Sequence, residues 1–182
     1  MNEALLKKDL EIITRITKQL NIRFFLDGGT LLGAIRDKHI ISYDSDFDFG
    51  VFRTEFPIGV IQNLKIKLVN GGFYFKRFGD KYESSSEHPH MIKFTSHYAR
   101  WNTDFFIFEQ REKDYYHKGW NGYFYFLKET LDTLDEIEFL GFKLLVPHNP
   151  ELYLEHLYGK DWKTPKHMDK PKDYPNFKAE LI

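Results

Sequence analysis

The segment Asp46-Phe47-Asp48-Phe49-Gly50-Val51-Phe52 sets Asp46 and Asp48 in strict alternation with Phe47, Phe49 and Val51. Successive side chains of a β-strand point to opposite faces, so a strand here buries Phe47, Phe49 and Val51 and turns both aspartates to the other side. Two such aspartates lie about 6.6–7 Å apart at Cα and can converge on one point. Carboxylates about 5 Å apart repel by roughly 3 kcal/mol at an effective dielectric near 20, so the pair asks for a cation. Oxygen-only ligands favour Mg²⁺ or Mn²⁺. Solvated strands also carry Asp-x-Asp pairs, but the Phe-Phe-Val face marks this one as core-forming, and Asp44 adds a third carboxylate just before it, a possible supporting group for the metal pair.

The elements around this strand follow from spacing. Leu6, Leu10, Ile13, Ile16 and Leu20 recur at three and four residues, the stripe of an amphipathic helix with Asn2 to cap it and Asn21 to end it. Ile22–Leu26 favours a strand, stopped by Gly28-Gly29, and Thr30–Arg36 reads as a short helix. Beyond the aspartate strand, Pro57 fits the first turn of a second helix whose stripe is Ile58, Ile61, Leu64 and Leu68, ended by Asn70-Gly71-Gly72. Strands are expected at Phe73–Phe78, Met91–Thr95, Asp104–Phe108 and Tyr123–Leu127, with a hairpin over Phe139–Val146 turning at Gly141. Asn149-Pro150-Glu151 supplies cap, N1 proline and acid for a last helix to about Tyr158. The class is α+β. The 182 residues suit one domain. From about residue 163 the tail, with Pro165, Pro171 and Pro175, is expected to wrap the surface or stay mobile rather than form a regular element. Its lysines offer closure over an anionic ligand as the alternative.

Composition narrows the function. Eighteen Phe and eleven Tyr against four Ala predict an aromatic core. A net charge of −1 argues against general nucleic-acid binding. The lack of cysteine removes disulfides, thiolate catalysis and cysteine zinc sites. No stretch reaches the roughly 18 apolar residues of a membrane helix, and charges throughout the first twenty residues argue against a secretory leader, so a cytoplasmic protein is expected.

The Gly28-Gly29-Thr30 turn precedes Asp46 by a short interval. Glycines let a backbone approach a ligand, and amides at a helix start suit phosphate. A glycine turn needed only for conformation is the plain alternative. Together with the aspartates it supplies minimal equipment for transfer of a phosphoryl-type group, where positioning and charge neutralisation do most of the catalysis. Asp104, opening an otherwise apolar strand, is the best third carboxylate. Arg36 is near enough in sequence to reach a phosphate or to pair with Asp37 or Asp44. Lys93 is either a phosphate ligand or a surface lysine. Trp101, Trp120, Tyr123 and Tyr125 are more readily core than a choline cage, and His90 and His97 more readily ordinary hydrogen-bonding residues than bases.

The run from Phe25 to Arg36, followed by Ile40–Gly50, resembles the signature of the LicD family, which includes bacterial phosphocholine transferases and the catalytic domains of fukutin and fukutin-related protein. Val146-Pro147, Tyr153-Leu154, Tyr158–Trp162 and Pro165 are similar to its closing segment. The resemblance implies a nucleotidyltransferase-like fold, a small mixed sheet flanked by helices. It further implies a phosphotransferase that moves a phospho-alcohol, such as phosphocholine or ribitol phosphate, from a CDP-activated donor to a glycan hydroxyl. By motif position Asp46 and Asp48 would bind Mg²⁺, Asp104 would be metal ligand or base, and Gly28, Gly29 and Thr30 would hold donor phosphates. The chain departs from the family where Ser42-Tyr43-Asp44-Ser45 replaces a Pro-Trp-Asp-Asp run, although Ser45 should point away from the Asp46/Asp48 face. Two alternatives stand beside this: nucleotidyl transfer from an NTP, using the same carboxylates, and a non-catalytic domain that binds a glycan or partner.

Overall fold

The computed structural model describes residues 2–78, 88–120, 122–166, 168 and 170–179. Helix α1 spans Glu3–Gln19, and the Asn2 side chain caps it by accepting from the Leu5 amide. Its stripe, Leu6, Leu10, Ile13 and Ile16, is buried. Strand β1, Phe24–Leu26, leads into α2, Gly28–Leu32, and the chain runs on through a π-helical turn at Gly33–Asp37. The aspartate strand is β2, Asp46–Phe52. Helix α3, Ile58–Asn70, follows with Pro57 at its N-cap, just outside the first turn. Ile61, Leu64 and Leu68 are buried, but Ile58 is 42% exposed, because the first turn of α3 projects past the sheet it covers.

Next come β3, Phe73–Phe78, β4, Met91–Ser96, and β5, Asn102–Gln110. Asp104 therefore lies inside its strand rather than opening it, since pairing with β2 and β4 begins at Asn102. Strands β6, Asp114–Gly119, and β7, Gly122–Leu127, precede the short α4, Lys128–Leu131. The hairpin is β8, Leu134–Phe139, and β9, Phe142–Pro147, before α5, Pro150–Tyr158, capped by the Asn149 side chain. The tail departs from expectation: Phe177–Ala179 is a strand, β10, antiparallel to β7. A bare β7 edge supplies the backbone partners that no local sequence signal reveals.

The expected mixed sheet flanked by helices is present, and it has ten strands. Its order is β10-β7-β6-β5-β2-β1-β9-β8, with β4 on β5 and β3 on β4. The pairs β2–β5 and β1–β9 are parallel and the others antiparallel. Strand β5 carries β2 along one edge, and first β4 and then β6 along the other. Phe25, Phe47, Phe49, Phe94, Phe105 and Phe108 are fully buried in an aromatic core. Phe52 and Gly50 are buried too, and a Cβ at Gly50 would land inside the Phe25 ring, so the alternation in β2 ends where helices cover both faces.

Candidate functional site

The site is assembled by register. In the parallel β2–β5 pair Asp48 lies opposite Asp104, and in the antiparallel β4–β5 pair Lys93 lies opposite Asp104. Asp46, two residues before Asp48, is on the same face. One carboxylate oxygen from each of Asp46, Asp48 and Asp104 lies within 4.8 Å of the others. Lys93 sits among them, its Nζ 2.7 Å from Asp104 Oδ2 and 4.0 Å from Asp46 Oδ2. It is thus no surface lysine: β4 turns it inward, where it is the counter-ion of the acids.

Asp104 is buried, and its Oδ1 has no hydrogen-bond partner. Burial pushes its pKa up to about 6 against the pull of Lys93. Burial likewise raises Asp48, helped by the charges of Asp46, Asp104, Asp44 and Asp27. Asp44, pushed up to about 7 by burial and then by Asp46, lines the same cavity. Three crowded oxygen donors with an orphaned buried oxygen among them fit a hard divalent cation.

The glycine turn serves the acids. Gly28 has φ +49°, and a Cβ there would lie 2.5 Å from Asp48 Oδ2; a Cβ on Gly29 would lie 2.5 Å from Asp44 Oδ2. Only bare backbone leaves room for the two carboxylates. The amides are also committed, Gly29 N–H donating to Asp48 Oδ2 at 3.0 Å and Gly28 N–H to Asp27 Oδ1 at 2.7 Å. Both glycines line the cavity, but the expectation that their amides hold phosphate is corrected by these internal bonds. Thr30 is corrected as well: it is buried outside the cavity lining, and its Oγ1 accepts from the Asp48 amide at 2.8 Å. Arg36 lines the cavity while gripping Asp37 through two bonds of 2.7 and 2.8 Å.

Three further contributors escape sequence reasoning. Asp27 caps α2, accepts from the Tyr153 hydroxyl at 2.7 Å, and is pushed up to about 6 by burial. Arg77 on β3 lines the cavity with a buried, unpartnered Nε and lies opposite Lys93 in the β3–β4 register. His117 on β6 also lines it. Of these, only Asp27 gave a signal, an acid placed to cap a glycine-rich helix start. The cavity measures about 520 Å³ and runs from the carboxylates to an aromatic wall that includes Trp120, Phe124, Tyr158, Trp162 and Tyr174. Of the aromatic residues weighed as ligands for a sugar or choline, only Trp120 lines it. Among the described residues no helix is long and apolar enough to cross a membrane.

Residues 21–149 match the family described as LicD/FKTN/FKRP, nucleotidyltransferase domain. The chain is 30% identical over 185 residues to the human ribitol-5-phosphate transferase FKTN, covering 97% of this chain and 37% of that protein. It is 25% identical over 186 residues to the mouse ribitol 5-phosphate transferase FKRP, covering 94% and 33%. The chain therefore spans about a third of the length of these curated relatives. Among solved structures, the crystal structure of ANT(2")-Ia in complex with adenylyl-2"-tobramycin is similar at a TM-score of 0.46 and 12% identity, over 76% of this chain and 66% of that one.

Proposed function

The chain belongs to the LicD/FKTN/FKRP family, and from that premise we propose that it is a transferase of a phosphorus-containing group, moving a phospho-alcohol from a CDP-linked donor to a glycan hydroxyl. The observation that carries this is the convergence of Asp46, Asp48 and Asp104 at one end of a cavity that also holds Arg36, Arg77 and Lys93. Acids that gather a cation and bases that face a diphosphate are both needed for such a transfer. The relatives' names favour ribitol phosphate over phosphocholine as the group moved.

Asp46, Asp48 and Asp104 would hold Mg²⁺ or Mn²⁺, with Asp44 beside them. The bound ion would neutralise phosphate charge and make the phosphorus more open to attack. The protein's own groups do the rest. The acceptor hydroxyl forms a new oxygen–phosphorus bond as the bond to the CMP phosphate breaks, and the hydroxyl proton passes to a carboxylate. Asp104, with a pKa of about 6, is mostly ionised at neutral pH and suited to accept it. Lys93, a counter-ion of Asp104, would turn to the donor phosphate once a metal takes over that charge, and Arg77 lies beside it.

The test is incubation with CDP-ribitol, CDP-choline and the four NTPs in the presence of Mg²⁺. Release of CMP supports the proposal, whereas pyrophosphate release assigns nucleotidyl transfer. Failure to turn over or bind any of them leaves a non-catalytic domain. Asp46→Asn and Asp48→Asn should each lower CMP release at least a hundredfold with the circular dichroism spectrum unchanged; full activity in either would remove the metal assignment.

A further inference from the structure

Transfer at the carboxylates leaves the other half of the cavity unused. It lies toward β6 and β7, where Phe106, Trp120, Phe124, Phe126, Tyr158 and Tyr174 form its wall around His117. The rings support one another: His117 stacks on Phe124 at 5.0 Å and 21°, and Tyr174 packs on Trp120 at 5.5 Å and Tyr158 at 5.7 Å. The tail completes this half with Met168, Tyr174 and Lys166, whose Nζ donates to the Tyr158 carbonyl at 2.7 Å. Such a wall takes a flat ring.

His117 adds direction. Its Nδ1 lies 3.3 Å from the Lys118 carbonyl oxygen. A carbonyl only accepts, so Nδ1 carries the proton and Nε2 keeps a lone pair. Burial holds the ring neutral, its pKa lowered to about 4. Among the described residues Nε2 has no hydrogen-bond partner. The polar group left to an occupant is therefore an acceptor, and it calls for an N–H donor on a planar ring. A quaternary ammonium group suits this half poorly, because Lys118 and Lys166 also line the cavity. A ring that is tethered to a charged group at the carboxylate end, and that bears an amino group, is a nucleobase on its diphosphate. A volume near 520 Å³ falls in the ordinary range of about 300–1,000 Å³ for ligand sites.

We propose that the aromatic half of the cavity is the nucleobase subsite and that His117 Nε2 selects a base with an exocyclic amino group over one with a carbonyl there. This rests on the donor being a nucleoside diphosphate conjugate, as the transfer reading requires. An amino group donates to Nε2, whereas the carbonyl of uracil sets one lone pair against another and leaves both unsatisfied.

Calorimetric titration of CDP and UDP with Mg²⁺, on the wild-type chain and on His117→Phe, tests it. The wild type should bind CDP at least about tenfold more tightly than UDP. His117→Phe should bring that ratio below about threefold by weakening CDP, because phenylalanine keeps the ring packing and removes only the acceptor. Equal affinities in the wild type, or an unchanged ratio in a folded variant, overturn the inference. If His117→Phe does not fold, imidazole ¹⁵N shifts of the wild type decide: Nε2 should move with CDP and stay with UDP, and an unmoved Nε2 overturns it. CMP release from a CDP donor alongside either overturning result leaves the transfer reading standing, while no binding of any nucleoside diphosphate and no CMP release remove both.

Discussion

Replacing Gly28 by alanine separates two roles of the glycine turn. The backbone there has φ +49°, which costs an L-residue about 1–2 kcal/mol. The added Cβ would lie 2.5 Å from Asp48 Oδ2, roughly 1 Å inside ordinary van der Waals contact, with backbone fixing the other side. Asp48 must rotate, and the bond it accepts from Gly29 N–H at 3.0 Å goes with it, a further loss of about 1–3 kcal/mol. Gly28→Ala should therefore destabilise by about 3 kcal/mol, a fall in Tm of roughly 6–12 °C for a chain this size. Because the displaced group is one of three carboxylates that meet within 4.8 Å, Mn²⁺ affinity should drop about 10–100-fold. Gly141→Ala is the control, since Gly141 has φ +86° with nothing within 4 Å of its Cβ position. It should lose only the backbone part, about 1–2 kcal/mol, and bind Mn²⁺ as the wild type does. Differential scanning calorimetry and Mn²⁺ titration read both quantities. If Gly28→Ala retains wild-type Mn²⁺ affinity, or if Gly141→Ala weakens it equally, the argument that glycine makes room for the acid is refuted.

Lys93→Met removes the cation beside Asp104 and should cost the metal-free protein about 3–5 kcal/mol; excess Mg²⁺ should close most of that gap in Tm, and a gap indifferent to Mg²⁺ would show that these acids seat no cation. Tyr153→Phe deletes the buried donor to Asp27 and should lower stability by about 1–3 kcal/mol in urea unfolding, with an unchanged midpoint counting against that bond. His117 has a folded pKa near 4 against 6.5 for the free side chain, so between these values the unfolded chain binds more protons and stability is lost as pH falls. From pH 7 to 4.5 this is worth roughly 2–3 kcal/mol, and the wild type should lose that much relative to His117→Phe. Buried Asp27, raised to about 6, acts in the opposite direction over the same window, so the difference between the two proteins rather than either curve alone is the measure.

The sequence by itself determined the local elements and half of the acidic centre. Periodicity and caps fixed α1, α3 and α5, because each is an amphipathic stripe with its own end signals. Alternation fixed β2 and put Asp46 and Asp48 on one face, since strand direction needs only neighbours two apart. What tertiary structure decided is register across long stretches of chain. Asp104 faces Asp48 because β5 runs parallel to β2 with those residues aligned, and Lys93 joins them because β4 pairs antiparallel on the other edge. Spacing in sequence does not encode such alignments; the hydrogen-bond ladders and the burial of Phe105 and Ile107 between helices set them. The same holds for Tyr153 on Asp27, 126 residues away, and for β10, which exists only where β7 offers an edge. Gly28 and Gly29 show the difference most directly. Their presence marked a close approach, but only the packed structure shows that Asp48 and Asp44 are what approaches them.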